Sequence, residues 1–305
     1  MPKSKVKLIL NPNSDFGRAG RSAADLRPIV EEFGGADWSG TVYPTHATEL
    51  SQQAAEQGYE IVIAVGGDGT IHEVINGLMR VPEQQRPRLG IVPVGSGNDF
   101  SYNAGVERRP EIAMRRIFNG TVKKIDVARI TTNRGRHEYW NNTLGIGFDA
   151  TVNIRSRRMV MVRGFFAYFI PVLQTIILNH EAPRMRITAN GEHWKDELMM
   201  VTLCNGAREG GGFLVAPNAR VDDGRLDYVS ICRVSRPMMF RLLPEVMRGT
   251  HGRFPQVRMG QFQRLSLESE WPLRIHADGE IFAGFGTDVT SLSVEIIPQA
   301  IELIV

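Results

Sequence analysis

Two glycine-rich segments with acidic side chains are the parts of the sequence best suited to phosphate chemistry. Residues 66–70 read Gly-Gly-Asp-Gly-Thr after an apolar run, and residues 95–99 read Gly-Ser-Gly-Asn-Asp after another. Glycine lets a backbone approach a ligand closely, and amides at a helix N-terminus favour an anion. Asp68 could hold a magnesium ion or accept a proton. Either segment could also be a simple turn, but two such corners in one chain favour a ligand.

Several other kinds of site are excluded by spacing. Residues 66–70 lack the Gly-Lys-Ser/Thr ending of a Walker A loop and the Gly-x-Gly-x-x-Gly spacing of a dinucleotide fingerprint. The seven histidines show no zinc-binding spacing, and no Gly-x-Ser-x-Gly elbow suggests a serine hydrolase. Cys204 and Cys232 form neither a disulfide framework nor a zinc pattern, which is typical of a reducing cytoplasm.

The elements that position these corners alternate between strand and helix in the first part of the chain. Strands are predicted at residues 6–10, 38–43, 60–65 and 89–93, with helical segments between them. Such alternation predicts an α/β domain with a parallel sheet. Ligands of these sheets bind at the carboxyl ends of the strands. Asn11, Gly66 and Gly95 all fall at such ends.

The pattern changes near residue 128, where strand-like alternation replaces the helices. We predict a nucleotide-binding α/β domain over residues 1–128 and a mainly β domain over residues 129–305. Residues 292–297 and 301–305 are predicted as separate strands, and the stretch from about 295 could return to the first domain. The apolar residues 165–178 follow Arg155, Arg157, Arg158 and Arg163. They could form an interfacial helix or a core helix, and the core helix is favoured.

Composition places few further limits on function. The formal net charge is +3 and the pI about 9.0. This mild cationic bias suits anionic nucleotides or anionic membrane surfaces and proves neither. We expect no signal peptide, no membrane span and no nucleic-acid partner, and we leave a homodimer open.

Several motifs together resemble the diacylglycerol kinase catalytic-domain family, which includes bacterial lipid kinases and the sphingosine and ceramide kinases. Residues 66–70 continue into Glu73-Val74-x-Asn76-Gly77-Leu78, and residues 95–100 read Gly-Ser-Gly-Asn-Asp-Phe. The first motif alone also occurs in NAD kinases and phosphofructokinases, whereas the second is much closer to the lipid kinases. Residues 11–14 are similar to a third motif, although Asp15 stands where glycine is usual.

The resemblance implies roles for individual residues. Glu280, in the Asp-Gly-Glu of residues 278–280, would be the general base. Asp68 would be a second catalytic residue, with its carboxylate near Mg²⁺. A structural Mg²⁺ would bind Asp223 and the main-chain carbonyls of Arg220 and Arg225. The residues expected to contact the nucleotide are Asn11, Thr45, Gly66, Gly67, Asp68, Gly69, Thr70, Ile71, His72, Gly95, Ser96 and Asp99.

Structural interpretations of the same residues stay open at this point. Thr45 could cap a helix, as could Asp99, and Asn11 could cap a turn. The Asp-Asp-Gly of residues 222–224 is also typical of a hairpin turn.

The implied activity is transfer of the γ-phosphoryl group of ATP to a lipid hydroxyl, most simply diacylglycerol to phosphatidic acid. The site would lie between the two domains, in a cytoplasmic enzyme peripheral to the inner face of the membrane. Alternatives are phosphatidylglycerol or a sphingoid base as the acceptor, an NAD kinase, and a non-catalytic sensor. Retention of Asp68, Asp99 and Glu280 argues against the sensor.

Overall fold

The computed structural model describes residues 5–157 and 166–305. The chain divides into two compact units, Met1–Val127 with Gln299–Val305, and Ala128–Pro298. The first is an α/β unit and the second is mainly β, so the predicted fold class is confirmed.

A parallel sheet forms the centre of the first unit. Its strands are β1 (Val6–Leu10), β2 (Asp37–Gly40), β3 (Ile61–Gly66) and β4 (Arg88–Pro93), in the order β2-β1-β3-β4. Every residue of β3 is buried, which explains its uninterrupted apolar sequence. Helices follow the strands: α1 (Ser14–Glu32), α2 (His46–Glu56), α3 (Asp68–Leu78), α4 (Asp99–Ala104) and α5 (Pro110–Asn119).

The second strand is shorter than the sequence predicts. Residues 38–43 are predicted as strand, but β2 ends at Gly40, and Val42 and Tyr43 are exposed. The Val42 amide donates to Nδ1 of His46, the first residue of α2, at 3.2 Å. At Val42 this local hydrogen bond takes the place of a hydrogen bond to the neighbouring strand, and the chain turns toward α2.

Antiparallel pairing dominates the second unit. The strands that follow β4 are β5 (Val122–Thr132), β6 (His137–Trp140), β7 (Thr143–Gly147), β8 (Arg184–Ala189), β9 (Glu192–Cys204), β10 (Leu226–Cys232), β11 (Val257–Phe262), β12 (Arg264–Ser269), β13 (Ile275–Ala277), β14 (Glu280–Ala283) and β15 (Ser291–Ile304). The long β9 pairs with β8 through its first half and with β7 and β10 through its second half, so it contributes to two groups of strands.

The second unit also contains the helices α6 (Phe148–Ser156), α7 (Phe166–Leu178) and α8 (Arg236–Arg248). Val172 and Ile176 of α7 are buried, whereas Ile177 and Leu178 are exposed. The predicted core helix is thus buried on one side only, and Phe165 lies outside the described residues. Within the described ranges, no helix combines the length and apolar character needed to cross a membrane.

The two strands predicted near the end of the chain are one strand, β15. Its backbone continues through Pro298 and Gln299, and Gln299 adopts a left-handed conformation with φ of 53°. The Gln299 amide donates to Oδ1 of the fully buried Asp126 at 2.7 Å. Farther along, Leu303 pairs with Leu89 of β4 in parallel register. The left-handed backbone at Gln299 interrupts the alternation of apolar and polar residues but does not end the strand. The sequence pattern therefore breaks at residues 298–300.

Close packing of α2 against α3 generates a test of the first unit. A Cβ atom on Gly77 would collide with the Ser51 hydroxyl and the Thr48 carbonyl, whereas one on Gly40 would meet nothing within 4 Å. We expect Gly77→Ala to lower the free energy of unfolding by about 1–3 kcal/mol, because overpacking forces the helices apart. Gly40→Ala is the matched control and should change it little. Equal urea denaturation midpoints for the two variants would contradict this packing.

Candidate functional site

The two glycine-rich corners of the first unit touch each other through their backbones. A Cβ atom on Gly67 would lie 3.1 Å from the Gly95 Cα, and one on Gly95 would fall on the Gly67 backbone. Asn98 closes the second corner, since its side chain accepts the Gly95 amide at 3.0 Å and donates to the Gly95 carbonyl at 2.7 Å. Glycine at both positions is therefore required by the close approach of two loops.

The Asp68 carboxylate joins these corners. Its Oδ2 accepts the Asp99 amide at 3.1 Å, and its Oδ1 accepts the Phe100 amide at 3.0 Å. Asp68 thus caps the first turn of α4 from another helix, while Asn98 occupies the N-cap position. A Cβ atom on Gly97 would lie 3.2 Å from Oδ2 of Asp68 and 3.5 Å from Oδ2 of Asp99. Both carboxylates therefore lie beside Gly97, where negative charge is concentrated.

A carboxylate from α3 caps the start of α2. Glu73 accepts the amides of Thr45 and Ala47 at 2.9 and 3.0 Å, and the Thr48 hydroxyl donates to the Glu73 carbonyl at 2.9 Å. The Thr45 side chain makes no capping hydrogen bond, so the helix-cap interpretation of its hydroxyl is wrong. Thr45 is exposed and held in a left-handed conformation, with φ of 71°.

The other residues predicted to contact a nucleotide gather at the carboxyl ends of β1, β3 and β4. The Asn11 amide nitrogen Nδ2 donates to the Thr70 hydroxyl at 3.2 Å. Ile71 and His72 are buried, so their side chains face the protein interior. Ser96 is exposed. Their nucleotide contacts stay predictions, and those of Ile71 and His72 would have to use the backbone.

Glu280 lies in the second unit, immediately after a tight turn that is fixed by a buried aspartate. The Asp278 carboxylate accepts the amides of Asn141, Asn142 and Thr143 at 2.9, 2.8 and 3.1 Å. Asp278 itself has φ of 52°, which is the strained left-handed region for a side chain. These three bonds hold that conformation in place.

Arg157 contacts both Glu280 and the turn that precedes it. Its Nη2 lies 2.5 Å from Oε2 of Glu280 and donates to the Gly279 carbonyl at 2.9 Å. The Glu280 side chain is 41% exposed, so the carboxylate is tethered by a guanidinium yet open to solvent. Its role as the general base stays a prediction.

A largely buried pair that the sequence did not reveal, Asp149 and His276, supports the same turn. Nε2 of His276 lies 3.4 Å from Oδ2 of Asp149, and the Thr202 hydroxyl donates to that oxygen at 2.8 Å. Burial lowers the pKa of His276, but the charge and hydrogen bond of Asp149, together with the charges of Glu209 and Asp278, raise it above its usual value. Burial likewise opposes ionisation of Asp149, but His276, Thr202 and Glu209 together hold its pKa below its usual range. The Gly279 amide donates to His276 Nδ1 at 3.2 Å. The pair therefore helps to fix the backbone next to Glu280.

The Asp149–His276 pair could not be predicted from the sequence pattern. Asp149 and His276 come from distant parts of the sequence, and only the antiparallel pairing of β7 with β13 brings them together. A Cβ atom on Gly145 would collide with both side chains. Gly145 is the available sequence signal, because its missing side chain leaves room for the ion pair.

Glu209 completes the one cluster of potential metal ligands found among the described residues, with its ligand atom within 4.8 Å of those of Asp149 and His276. A metal at His276 Nε2 does not fit this arrangement. Because Nδ1 accepts the Gly279 amide, the ring proton belongs on Nε2, facing Asp149. The cluster is better described as a hydrogen-bonded network.

The turn predicted to hold a structural magnesium is an exposed one. Oδ1 of Asp223 accepts the Arg225 amide at 3.0 Å, and the Arg220 side chain pairs with Asp222 at 3.2 Å. A carboxylate and two main-chain carbonyls are the hard oxygen donors that Mg²⁺ prefers, so the donor set fits the ion chemically. Metal binding at Arg220, Asp223 and Arg225 stays a prediction.

Comparisons with known proteins define the family. The family model "Diacylglycerol kinase catalytic domain" matches residues 5–130, and "YegS C-terminal NAD kinase beta sandwich-like domain" matches residues 142–305. The chain therefore belongs to the diacylglycerol kinase catalytic-domain family of lipid kinases. This confirms the family suggested by the motifs and the coarser expectation of a lipid kinase.

Similar proteins cover nearly the whole chain. A Mycobacterium tuberculosis diacylglycerol kinase is 27% identical over 98% of this chain and 94% of its own length. A Yersinia enterocolitica "probable lipid kinase YegS-like" is 28% identical over 84% of this chain and 82% of its own. The crystal structure of a putative diacylglycerol kinase from Bacillus anthracis has a TM-score of 0.78 and 25% identity, covering 100% of this chain and 98% of that one.

The contacts of Asp278 generate a test of the second unit. Asp278→Asn turns one oxygen acceptor into a donor that faces a backbone amide. We expect a loss of about 1–3 kcal/mol in the free energy of unfolding, because a buried donor is left unsatisfied. The control is Asp288→Asn, since Asp288 only forms an exposed ion pair with Arg134. Urea denaturation that does not distinguish the two variants would contradict the buried role of Asp278.

Proposed function

We propose that the protein phosphorylates diacylglycerol with ATP and releases phosphatidic acid. The observation that carries this proposal is the junction of two glycine-rich corners through Asp68, in a chain whose relatives include proteins named diacylglycerol kinase. A phosphoryl group needs closely approaching amides and balanced charge. The first unit brings the backbones of Gly67 and Gly95 into direct contact, which a side chain on either residue would prevent.

The nucleotide would bind at the carboxyl ends of the parallel strands. Backbone amides in the first turn of α3, which begins at Asp68, would donate hydrogen bonds to phosphate oxygens. The exposed hydroxyls of Thr45 and Ser96 would add hydrogen bonds. Asp68 and Asp99 would hold Mg²⁺ beside Gly97, and the ion would supply positive charge to the phosphoryl oxygens. Without a cation, two carboxylates would repel the triphosphate.

Glu280 would act on the acceptor. Its carboxylate would take the proton of the lipid hydroxyl as the hydroxyl oxygen bonds to the γ-phosphorus. The bond between the γ-phosphorus and the bridging oxygen breaks, and ADP leaves with that oxygen. The exposed Glu280 carboxylate can reach a substrate, and Arg157 restricts its orientation. His276, Asp149 and Asp278 would act as positioning residues, since they hold the adjacent backbone.

A different lipid acceptor is the main alternative to diacylglycerol. The Yersinia enterocolitica relative is named only as a probable lipid kinase, without an acceptor. Phosphatidylglycerol and sphingoid bases also present a hydroxyl next to apolar chains, so the same proton transfer would serve them. The acceptor is therefore the part of the proposal that most needs a direct test.

A panel of acceptors provides that test. Purified protein is incubated with ATP, Mg²⁺ and vesicles that contain diacylglycerol, phosphatidylglycerol or sphingosine, with NAD as the soluble comparison. We expect phosphatidic acid as the main product, measured by mass after separation. Parallel reactions with EDTA should give none if the cation is required. Preferential phosphorylation of another acceptor would replace diacylglycerol in the proposal.

The general-base assignment predicts a specific kinetic defect. Glu280→Gln keeps the size of the side chain but removes its basicity, so we expect kcat to fall by about 10²–10⁴-fold. Nucleotide affinity should stay near that of the wild type, because Glu280 is not among the proposed nucleotide contacts. Glu270→Gln is the control, since Glu270 forms an exposed ion pair with Lys195. A kcat near that of the wild type would reject the assignment.

A further inference from the structure

One side of α7 exposes large apolar side chains to solvent. Phe166, Ile177 and Leu178 are 60%, 57% and 63% exposed. The opposite side packs into a core, where Val172 and Ile176 lie in one cluster with residues of α8. The helix contains no charged residue at all. The helix is therefore buried on one side and exposed on the other.

The neighbouring α8 supplies the positive charge that α7 lacks. Phe240 is 44% exposed on α8, and Arg241 and Arg248 are exposed on the same side as Phe240. The one acidic residue of α8, Glu245, is buried and bonded to Arg253 at 2.6 Å. Exposed cations on α8 are therefore not matched by an exposed carboxylate on the same helix.

Arg236 links the two helices where their exposed sides meet. Its Nε donates to the Ile177 carbonyl at 3.3 Å, next to the exposed Ile177 and Leu178 side chains. We call the resulting surface the α7–α8 face. It consists of Phe166, Ile177, Leu178, Arg236, Phe240, Arg241 and Arg248.

The arginines that the sequence placed beside this segment have other contacts. Arg155 donates to the Asn179 side chain at 2.7 Å, and Arg157 pairs with Glu280. Arg158 and Arg163 lie outside the described residues. The cations of the α7–α8 face therefore come from a helix that is distant in sequence.

We infer that the α7–α8 face docks on an anionic phospholipid bilayer. The inference rests on the assignment as a lipid kinase, because the acceptor of such an enzyme resides in a membrane. Apolar side chains flanked by arginines match a bilayer surface, where the former enter the acyl boundary and the latter pair with phosphates. A symmetric contact with a second copy would instead bring like charges together, because the same patch meets itself.

Vesicle binding by designed variants tests the face directly. Sedimentation with vesicles of phosphatidylcholine, with or without an equal part of phosphatidylglycerol, measures the bound fraction. We expect the wild type to prefer the anionic vesicles. The double variant Ile177→Glu/Leu178→Glu should bind at least about tenfold more weakly to both, because carboxylates resist entry into the acyl boundary. Circular dichroism verifies that each variant is folded.

A charge variant separates the two contributions. Arg241→Glu/Arg248→Glu should lose most of the preference for anionic vesicles, since each arginine near such a surface strengthens binding roughly fivefold. Matched controls are Val42→Glu, which replaces an exposed apolar residue elsewhere, and Arg264→Glu, which replaces an exposed arginine elsewhere. Both controls should bind like the wild type.

Specific outcomes would overturn the inference. Wild-type binding that does not depend on phosphatidylglycerol would reject an anionic bilayer as the partner, and face variants that bind as the controls do would reject the α7–α8 face as the docking surface. Unchanged vesicle binding together with an altered oligomeric state, measured by light scattering, would assign the face to a second copy instead.

A soluble substrate distinguishes this inference from the proposed function. With a water-dispersed short-chain diacylglycerol, the face variants should match the wild type in kcat/KM, whereas on vesicles their rates should fall with binding. If the wild type phosphorylates neither form, the proposed acceptor is wrong. The sedimentation result would still decide whether the face binds membranes.

Discussion

The hydrogen bonds of the Asp68 carboxylate are the constraint on which the first unit depends. A single side chain at the start of α3 fixes the first turn of α4, and so sets the distance between two loops that follow different strands. Glycine-rich loops would otherwise be the least ordered part of this edge of the sheet, because glycine has the greatest backbone freedom. The carboxylate gives these loops one shape while leaving their glycine backbones accessible. Rigidity and access to a ligand, which usually conflict, are combined in this way.

The second unit uses the same device on a different scaffold. Asp278 accepts hydrogen bonds from three backbone amides, and His276 of the largely buried Asp149–His276 pair accepts the amide of Gly279, the next residue. In both units a buried or half-buried acid accepts hydrogen bonds from backbone amides, and in the second unit the acid proposed to react, Glu280, lies nearby and is more exposed. Charge-assisted hydrogen bonds of this type are about twice as strong as neutral ones, which suits them to hold strained turns.

The fold class and the glycine-rich corners could be predicted because their signals are local. A buried parallel strand requires a continuous apolar run, and a close backbone approach requires glycine, so β3 and Gly67 are evident from a few neighbouring residues. The capping of α2 by Glu73 and the Asp149–His276 pair could not be predicted, because each depends on tertiary contacts between distant segments. The break at residues 298–300 misled the strand assignment for the same reason, since Asp126 satisfies the irregular backbone from far away in the sequence.

The path of β15 has a consequence for how the first unit acquires its structure during synthesis. The residues that pair with β4 emerge from the ribosome only after the whole second unit has been made. Until then the β4 edge lacks that neighbour, and an open parallel edge is vulnerable to wrong partners. The exposed Arg88 at the start of β4 places a positive charge on that edge until β15 is made, which disfavours pairing with wrong strands. In the folded protein Arg88 pairs with Glu302 of β15.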